Sequence, residues 1–189
     1  MGLIAAGLIL ASSQASAVGF EYFLGAGAEF SNTKLENSDG DTFKAKDTAF
    51  KLKSGIILDK THRISLSYSK PSDKNTWDDS GTPVTTKASV TLILANYDYF
   101  FPITEDFRLG FGAHLGSAKL ELKEEGEKWS KSGLAYGAQL SAIYDITKNV
   151  EFEVAYGHTR YNVDLKFDDG FKEELKHTNS LYTGINFKF

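Results

Sequence analysis

Residues 20–30, FEYFLGAGAEF, alternate without a break. Phe20, Tyr22, Leu24, Ala26, Ala28 and Phe30 fall on one side, and Glu21, Gly25, Gly27 and Glu29 on the other. A period of two is the mark of a β-strand, because successive side chains leave an extended backbone on opposite faces. One face is apolar and partly aromatic, and the other combines glycine with carboxylates.

The same two-sided pattern recurs along the chain, separated by turn signals. Phe50, Leu52, Ile56 and Leu58 oppose Lys51, Lys53 and Gly55. Ile64, Leu66 and Tyr68 oppose Arg63, Ser65, Ser67 and Ser69. Leu109, Phe111, Ala113 and Leu115 oppose Arg108, Gly110, Gly112, His114 and Gly116. Leu134, Tyr136, Leu140 and Tyr144 oppose Gly133, Gly137, Gln139 and Ser141, and Phe152, Val154 and Tyr156 oppose Glu151, Glu153 and Gly157. Within residues 87–101, Val90, Leu92 and Leu94 alternate with Thr91, Ile93 and Ala95, so the two faces cannot be told apart there. A last segment runs to Phe189, giving about eight strands. The connections alternate between long (36–44, 70–86, 123–131, 167–172) and short (59–61, 102–106, 146–149).

The bulk composition leaves few other classes open. A net charge of −4 gives no electrostatic reason to bind nucleic acid. With no Cys, disulfides, thiolate chemistry and Cys-ligated metals are excluded together. The mean hydropathy of −0.28 resembles a water-soluble protein, but it averages over the two faces. Leu3 to Ala11 is an apolar run too short to span a bilayer, and Ala15-Ser16-Ala17 supplies small residues in an A-x-A pattern. Residues 1–17 therefore read as a secretory signal peptide, although no Lys or Arg precedes the run, and the mature domain is expected over 18–189. No stretch approaches the ~18 apolar residues of a spanning helix, so an exported membrane protein must satisfy its backbone by closing a sheet on itself.

Alternation alone does not say whether the apolar face is a core or a lipid surface. Three features favour lipid. Tyr97, Tyr99, Phe101, Phe107, Tyr144, Phe187 and Phe189 gather beside the short turns, where an interfacial aromatic girdle belongs. Gly and Ser crowd the polar face, as the inside of a narrow barrel requires. The chain ends within an apolar row, Leu181, Ile185, Phe187 and Phe189. The expected fold is all-β, an eight-stranded antiparallel up-and-down transmembrane β-barrel.

That terminus, alternating apolar residues closing on Phe189, resembles the signal by which outer-membrane proteins are recognised for assembly. With the leader, the strand number and four long loops, the chain resembles the OmpA-like/OmpX/Ail group of small outer-membrane barrels. The resemblance implies the outer membrane of a Gram-negative cell, contact with outer-membrane lipid, lipopolysaccharide and the assembly machinery, and a monomer without cofactor. The chain stops at its last strand, so no peptidoglycan-binding domain is expected.

An outward apolar face leaves Glu21, Glu29, Asp98, Glu151 and Glu153 inside with Lys51, Lys53, Arg63, Arg108 and Lys188. The signs balance, which predicts a paired plug and not the single-sign ring of an ion-selective pore. Among the histidines, His114 points inward near Gln139 and Ser141, but His158-Thr159-Arg160 lacks the His-x-Ser associated with lipid A deacylases. No metal site is expected, because no two histidines have ligand spacing. Asn37 to Asp41 lacks the downstream Glu of a calcium loop, and Asp168-Asp169-Gly170 reads as a hairpin turn. Function is expected on the external loops, where Trp77 and Trp129 could anchor a ligand on a host or cell surface or mark the interface belt. The leading reading is a structural or surface-interaction barrel serving adhesion or envelope integrity and not an enzyme. The alternatives are a narrow porin-like channel and, third, a lipid A-modifying enzyme.

Overall fold

The computed structural model describes residues 19–37, 40, 42–79, 82–124, 127–166 and 172–189; near the hairpin tips, including Trp77, it describes the backbone only. The expected signal peptide at 1–17, the expected turn at Asp168 and most of the Asn37 to Asp41 loop lie outside the described residues.

Among the described residues, nine strand segments form the sheet: β1 (Phe20–Asn37), β2 (Thr42–Leu58), β3 (His62–Ser69), β4 (Ser72–Asp79), β5 (Thr82–Pro102), β6 (Phe107–Glu124), β7 (Glu127–Thr147), β8 (Val150–Lys166) and β9 (Lys172–Lys188). β1 to β3 pair antiparallel in sequence order, as do β4 to β9, while β1 pairs with β9 and β3 pairs with β5 and not with β4. The ring is closed. β3 and β4 both lie against β5, so they are two halves of one stave interrupted at Lys70-Pro71. Pro71 has no N–H for the ladder, but its carbonyl still accepts from Val90 N at 3.0 Å. The barrel therefore has eight antiparallel staves in up-and-down order.

The sides of the sheet follow the alternation. Phe50 and Leu140 are each 63% exposed, while Arg63, Glu151 and Glu153 are 0% exposed. Apolar surface displayed all round a closed sheet would cost about 25 cal/mol per Å² in water; hydrocarbon removes that cost. The ambiguous stretch of β5 is resolved: Leu92, Leu94, Asn96, Asp98 and Phe100 are buried inside, and Ile93, Tyr97 and Phe101 face out.

The external connections differ from expectation. Most of what reads as loop at 36–44, 70–86 and 123–131 is strand, running to hairpin tips at Asn37/Thr42, Asp79/Thr82 and Glu124/Glu127. A bilayer needs only about ten residues per tilted strand, whereas β5 and β7 are each 21 residues long. The excess projects as hairpins. Beyond the bilayer both faces meet water, so the ladder persists while the apolar period that betrays a strand disappears.

At the opposite end the turns are tight. Asp59 and Lys60 adopt φ of 49° and 59° in the three-residue connection between Leu58 and its register partner His62, where Thr61 N donates to Leu58 O at 3.1 Å; this left-handed conformation favours Gly or Asn. His62, Tyr97, Tyr99, Phe101 and Phe111 interlock near this end, with Tyr99 and Phe101 centroids 4.8 Å apart. Tyr22 and Phe189 stack across the β1–β9 seam at 6.3 Å.

Candidate functional site

The interior is built in three layers. Near the short turns, four cations (Lys53, Arg63, Arg108, Lys188) meet four carboxylates (Asp98, Asp145, Glu151, Glu153). Arg63 is the hub. Its Nε donates to Asp98 Oδ2 at 3.0 Å, and its two terminal nitrogens grip Glu153 at 3.0 and 2.8 Å. Lys53 adds a third donor to Glu153 at 2.7 Å. Glu151 accepts from Arg108 at 2.5 Å and lies 3.0 Å from Lys188. Asn186 links the two carboxylates, donating to Glu153 at 3.0 Å and to Glu151 at 3.4 Å. Phe23 and Phe100 flank the Arg63 guanidinium at 5.4 and 4.8 Å, a stacking that lysine could not reproduce.

Above this floor lies a second polar layer. Lys51 pairs with Glu29, Gln139 donates to Asp98 at 2.5 Å, and Asn96 donates to the Ser65 and Leu94 carbonyls. His114 Nε2 meets Thr159 Oγ1 at 2.9 Å, so the histidine is engaged with a threonine on β8 and not with Ser141. A cavity of about 20 Å³ borders His114, Tyr182, Asn96 and Gln139, room for about one water. Among the described residues, the buried His114 Nδ1 and Tyr182 OH have no hydrogen-bond partner.

The third layer corrects the expectation of an interior made only of glycine and paired ions. Leu92, Leu94, Ala118, Leu120, Ala135, Tyr161, Val163 and Leu175 form a buried apolar cluster toward the hairpins. Trp129 packs against this cluster. It is a half-buried strand residue, not an exposed loop anchor. The cluster was not legible because a narrow barrel can be filled by either chemistry, and Leu92 and Leu94 sit in the stretch where both faces are apolar.

Of the charges expected inside, Glu29, Lys51, Lys53, Arg63, Asp98, Arg108, Glu151, Glu153 and Lys188 are brought into these pairs. Glu21 stands half-exposed at the lower end of β1, and no ion pair joins it among the described residues. Asp145 is an addition. It continues the inward row of Gln139, Ser141 and Ile143 into a stretch that reads as turn, where its carboxylate takes Arg108 at 3.1 Å and Lys188 at 2.9 Å. Of the terminal row, Leu181, Phe187 and Phe189 are exposed on the outer surface and Ile185 is half-exposed there. The remaining histidines lie outside the lumen, with His62 on Tyr97 and His158 beside His177, centroids 5.3 Å apart.

The family model for the outer membrane protein beta-barrel domain matches residues 3–189. The chain belongs to this family. No curated protein matches the sequence. Among solved structures, the barrel is similar to Neisserial surface protein A, with a TM-score of 0.67, 19% identity, and coverage of 89% of this chain and 97% of that one. It is also similar to Ail, the attachment invasion locus protein of Yersinia pestis, in complex with the heparin analogue sucrose octasulfate (TM-score 0.58, 17% identity, 90% and 99% covered). A third is outer membrane protein H of P. aeruginosa (TM-score 0.52, 22% identity, 88% and 99% covered). These identities speak for the fold. As a member of an outer-membrane barrel family, the chain resides in the outer membrane of a Gram-negative cell.

Proposed function

We propose that this outer-membrane barrel is a closed scaffold that acts at the cell surface through its projecting hairpins, in adhesion or envelope integrity. The carrying observation is a contrast: the lumen is filled in three layers, while the staves continue well past the lipid belt. A paired floor, a nearly solid middle and an apolar cap leave the hairpin rim as the surface open to a ligand. Ail, a barrel of the same fold, forms a complex with a sulfated heparin analogue, which supports a rim that receives an extracellular ligand. The narrow-channel reading has less support, since its path would cross the Leu92, Leu120 and Leu175 cluster. Lipid A modification would need a nucleophile at His114, whose partner is Thr159.

The same reading gives the chain a cleaved leader ending at Ala17 and a monomeric state. Leu181, Ile185, Phe187 and Phe189 would be the row that the assembly machinery reads. The test replaces the tips of the four hairpins with short turns. The variant should still show heat-modifiable gel migration from outer membranes yet lose attachment of the expressing cells to host-cell or matrix surfaces. Attachment that persists without the tips would overturn the proposal.

A further inference from the structure

The lower wall is laddered on every side, but the upper wall is not. β3 closes the ring between β2 and β5 as far as the pairs Lys51 with Ser69 and Ser69 with Leu92. Above that level, residues 42–50 of β2 pair only with β1, and β4 pairs only with β5. Among the described residues no ladder joins β2 to β4. Two strand edges therefore face one another across a slot. Its height is where the outer face of β2 changes from exposed Phe50 to Thr48, Lys46 and Lys44. Hydrocarbon does not tolerate an open sheet edge, whereas water can solvate one.

The register gives the reason the ladder stops. Carried upward from Lys51 and Ser69 one residue at a time, the β2–β3 pairing would set Ala49 opposite Pro71, Asp47 opposite Asp73 and Lys46 opposite Lys74. Pro71 has no N–H to offer a second strand, and like charges directly opposite destabilise a sheet. Lys74 takes its place on the outer face from Lys87, its register partner on β5. At the foot of the slot, a cleft of about 20 Å³ is lined by Ala45 and Asp47 of β2, by Pro71 and Val90, and by Leu120 and Leu175 of the apolar cap. The slot thus has cationic positions on its outer side and reaches an apolar interior.

We propose that the slot admits an extended polypeptide strand from outside the cell. Its backbone pairs with the edges of β2 and β4, its outward side chains set a carboxylate between Lys46 and Lys74, and its inward side chains are apolar, toward Leu120 and Leu175. Strand addition draws affinity from main-chain hydrogen bonds and selectivity from alternate side chains. Charged residues at an edge turn away indiscriminate strands. A carboxylate between the two lysines converts their repulsion into cross-strand attraction, so the charges that keep β2 from β4 also select the guest. β2 and β4 run in opposite directions, so the guest is antiparallel to one and parallel to the other, a mixed arrangement that sheets accommodate. The inference rests on the hairpin rim being the surface that receives an extracellular ligand, and it makes that ligand a polypeptide.

The experiment uses the full-length mature protein refolded in phosphatidylcholine vesicles. The probe is a fluorescein-labelled peptide, Thr-Val-Glu-Val-Glu-Val-Thr, titrated by fluorescence anisotropy. The wild type should bind it, and should bind the version with lysine in place of glutamate about tenfold more weakly, the order that reversed cross-strand charge pairs carry. N-methylation of alternate backbone nitrogens leaves every side chain in place and should abolish binding. The variant Lys46→Glu, Lys74→Glu, checked for folding by its heat-modifiable band, should prefer the lysine peptide. Absence of binding to the wild type, equal binding of both peptides, an unreversed preference in the variant, or binding that survives N-methylation would each overturn the strand slot. Any of these, with attachment of cells still lost on hairpin replacement, removes the slot and leaves the surface role standing. Peptide binding that holds while attachment persists without the hairpin tips does the opposite.

Discussion

Arg63 has no water to fall back on: it is wholly buried, and its guanidinium holds Asp98 and Glu153 together. Removing one partner of a buried ion pair strands the other, so Arg63→Met should lower stability by about 3–5 kcal/mol in urea titrations in micelles. Arg63→Met combined with Asp98→Asn and Glu153→Gln should recover much of that loss, because the stranded charges are gone. Gly110 shows how little space surrounds this centre: a Cβ there would lie 2.5 Å from the Phe100 ring and 2.8 Å from Ser141 Oγ. Gly110→Ala should therefore cost about 1–3 kcal/mol, as overpacked cores do, read by the same titration. Lys60 is the converse case. It holds a left-handed conformation at φ 59°, which burdens a residue with a Cβ by about 1–2 kcal/mol. Lys60→Gly should raise the urea midpoint modestly, the gain reduced by glycine's extra freedom when unfolded.

Among the elements, the hairpin of β6 and β7 is fastened on its outer wall by one carboxylate. Glu121 is approached by Lys128 at 2.6 Å, Lys119 at 3.4 Å and Lys70 at 3.5 Å, above the lipid belt. The hydrogen bond from Lys128 leads the causes that hold its carboxyl down to about 2. A carboxyl lowered on folding stabilises the folded state above its ordinary value of 4.5, and that stabilisation fades as pH falls toward about 2. Glu121→Gln should thus unfold more easily than wild type at neutral pH, with the gap closing on acidification below 4.5. The hairpins also mark the limit of sequence legibility. Where one face meets hydrocarbon, as in Phe107 to Gly116, alternation is unmistakable. Past the belt, the string Ser72 to Asp79 is polar at every position but Trp77, so it carries no two-sided pattern and reads as a loop. Asp145 is hidden for a related reason: one residue from Ile146 in a turn-like string, only continuation of the Gln139, Ser141, Ile143 row would have placed it inside.

For the molecule as a whole, lipid-facing rows and charged inward rows were both readable, since each is a periodic property of single strands. The filling of the lumen was not, because it depends on which staves face one another across the ring. Leu120 of β6 joins Val163 and Leu175, themselves register partners on β8 and β9, only through closure. The filled interior predicts an electrical outcome: refolded protein in planar bilayers should show no steady conductance. Leu92→Ser with Leu120→Ser and Leu175→Ser should introduce leak events if the apolar cap is the seal. Wild-type current of the same size would mean that the cap is not what closes the lumen.

The grip of Arg63 on Glu153 and Asp98 also bears on how the barrel is made. Lys53, Arg63, Asp98, Glu153 and Asn186 belong to five separate segments: β2, β3, β5, β8 and β9. A flat, unfinished sheet would keep the Arg63–Asp98 pair, which are register partners on β3 and β5, but would leave Glu153 and Lys53 without their counter-ions in the membrane interior. Intermediates lacking the β1–β9 seam are therefore penalised until the last stave docks. Insertion and sealing should behave as one cooperative event, with the lumen acting as a proofreading lock that engages only on a complete ring.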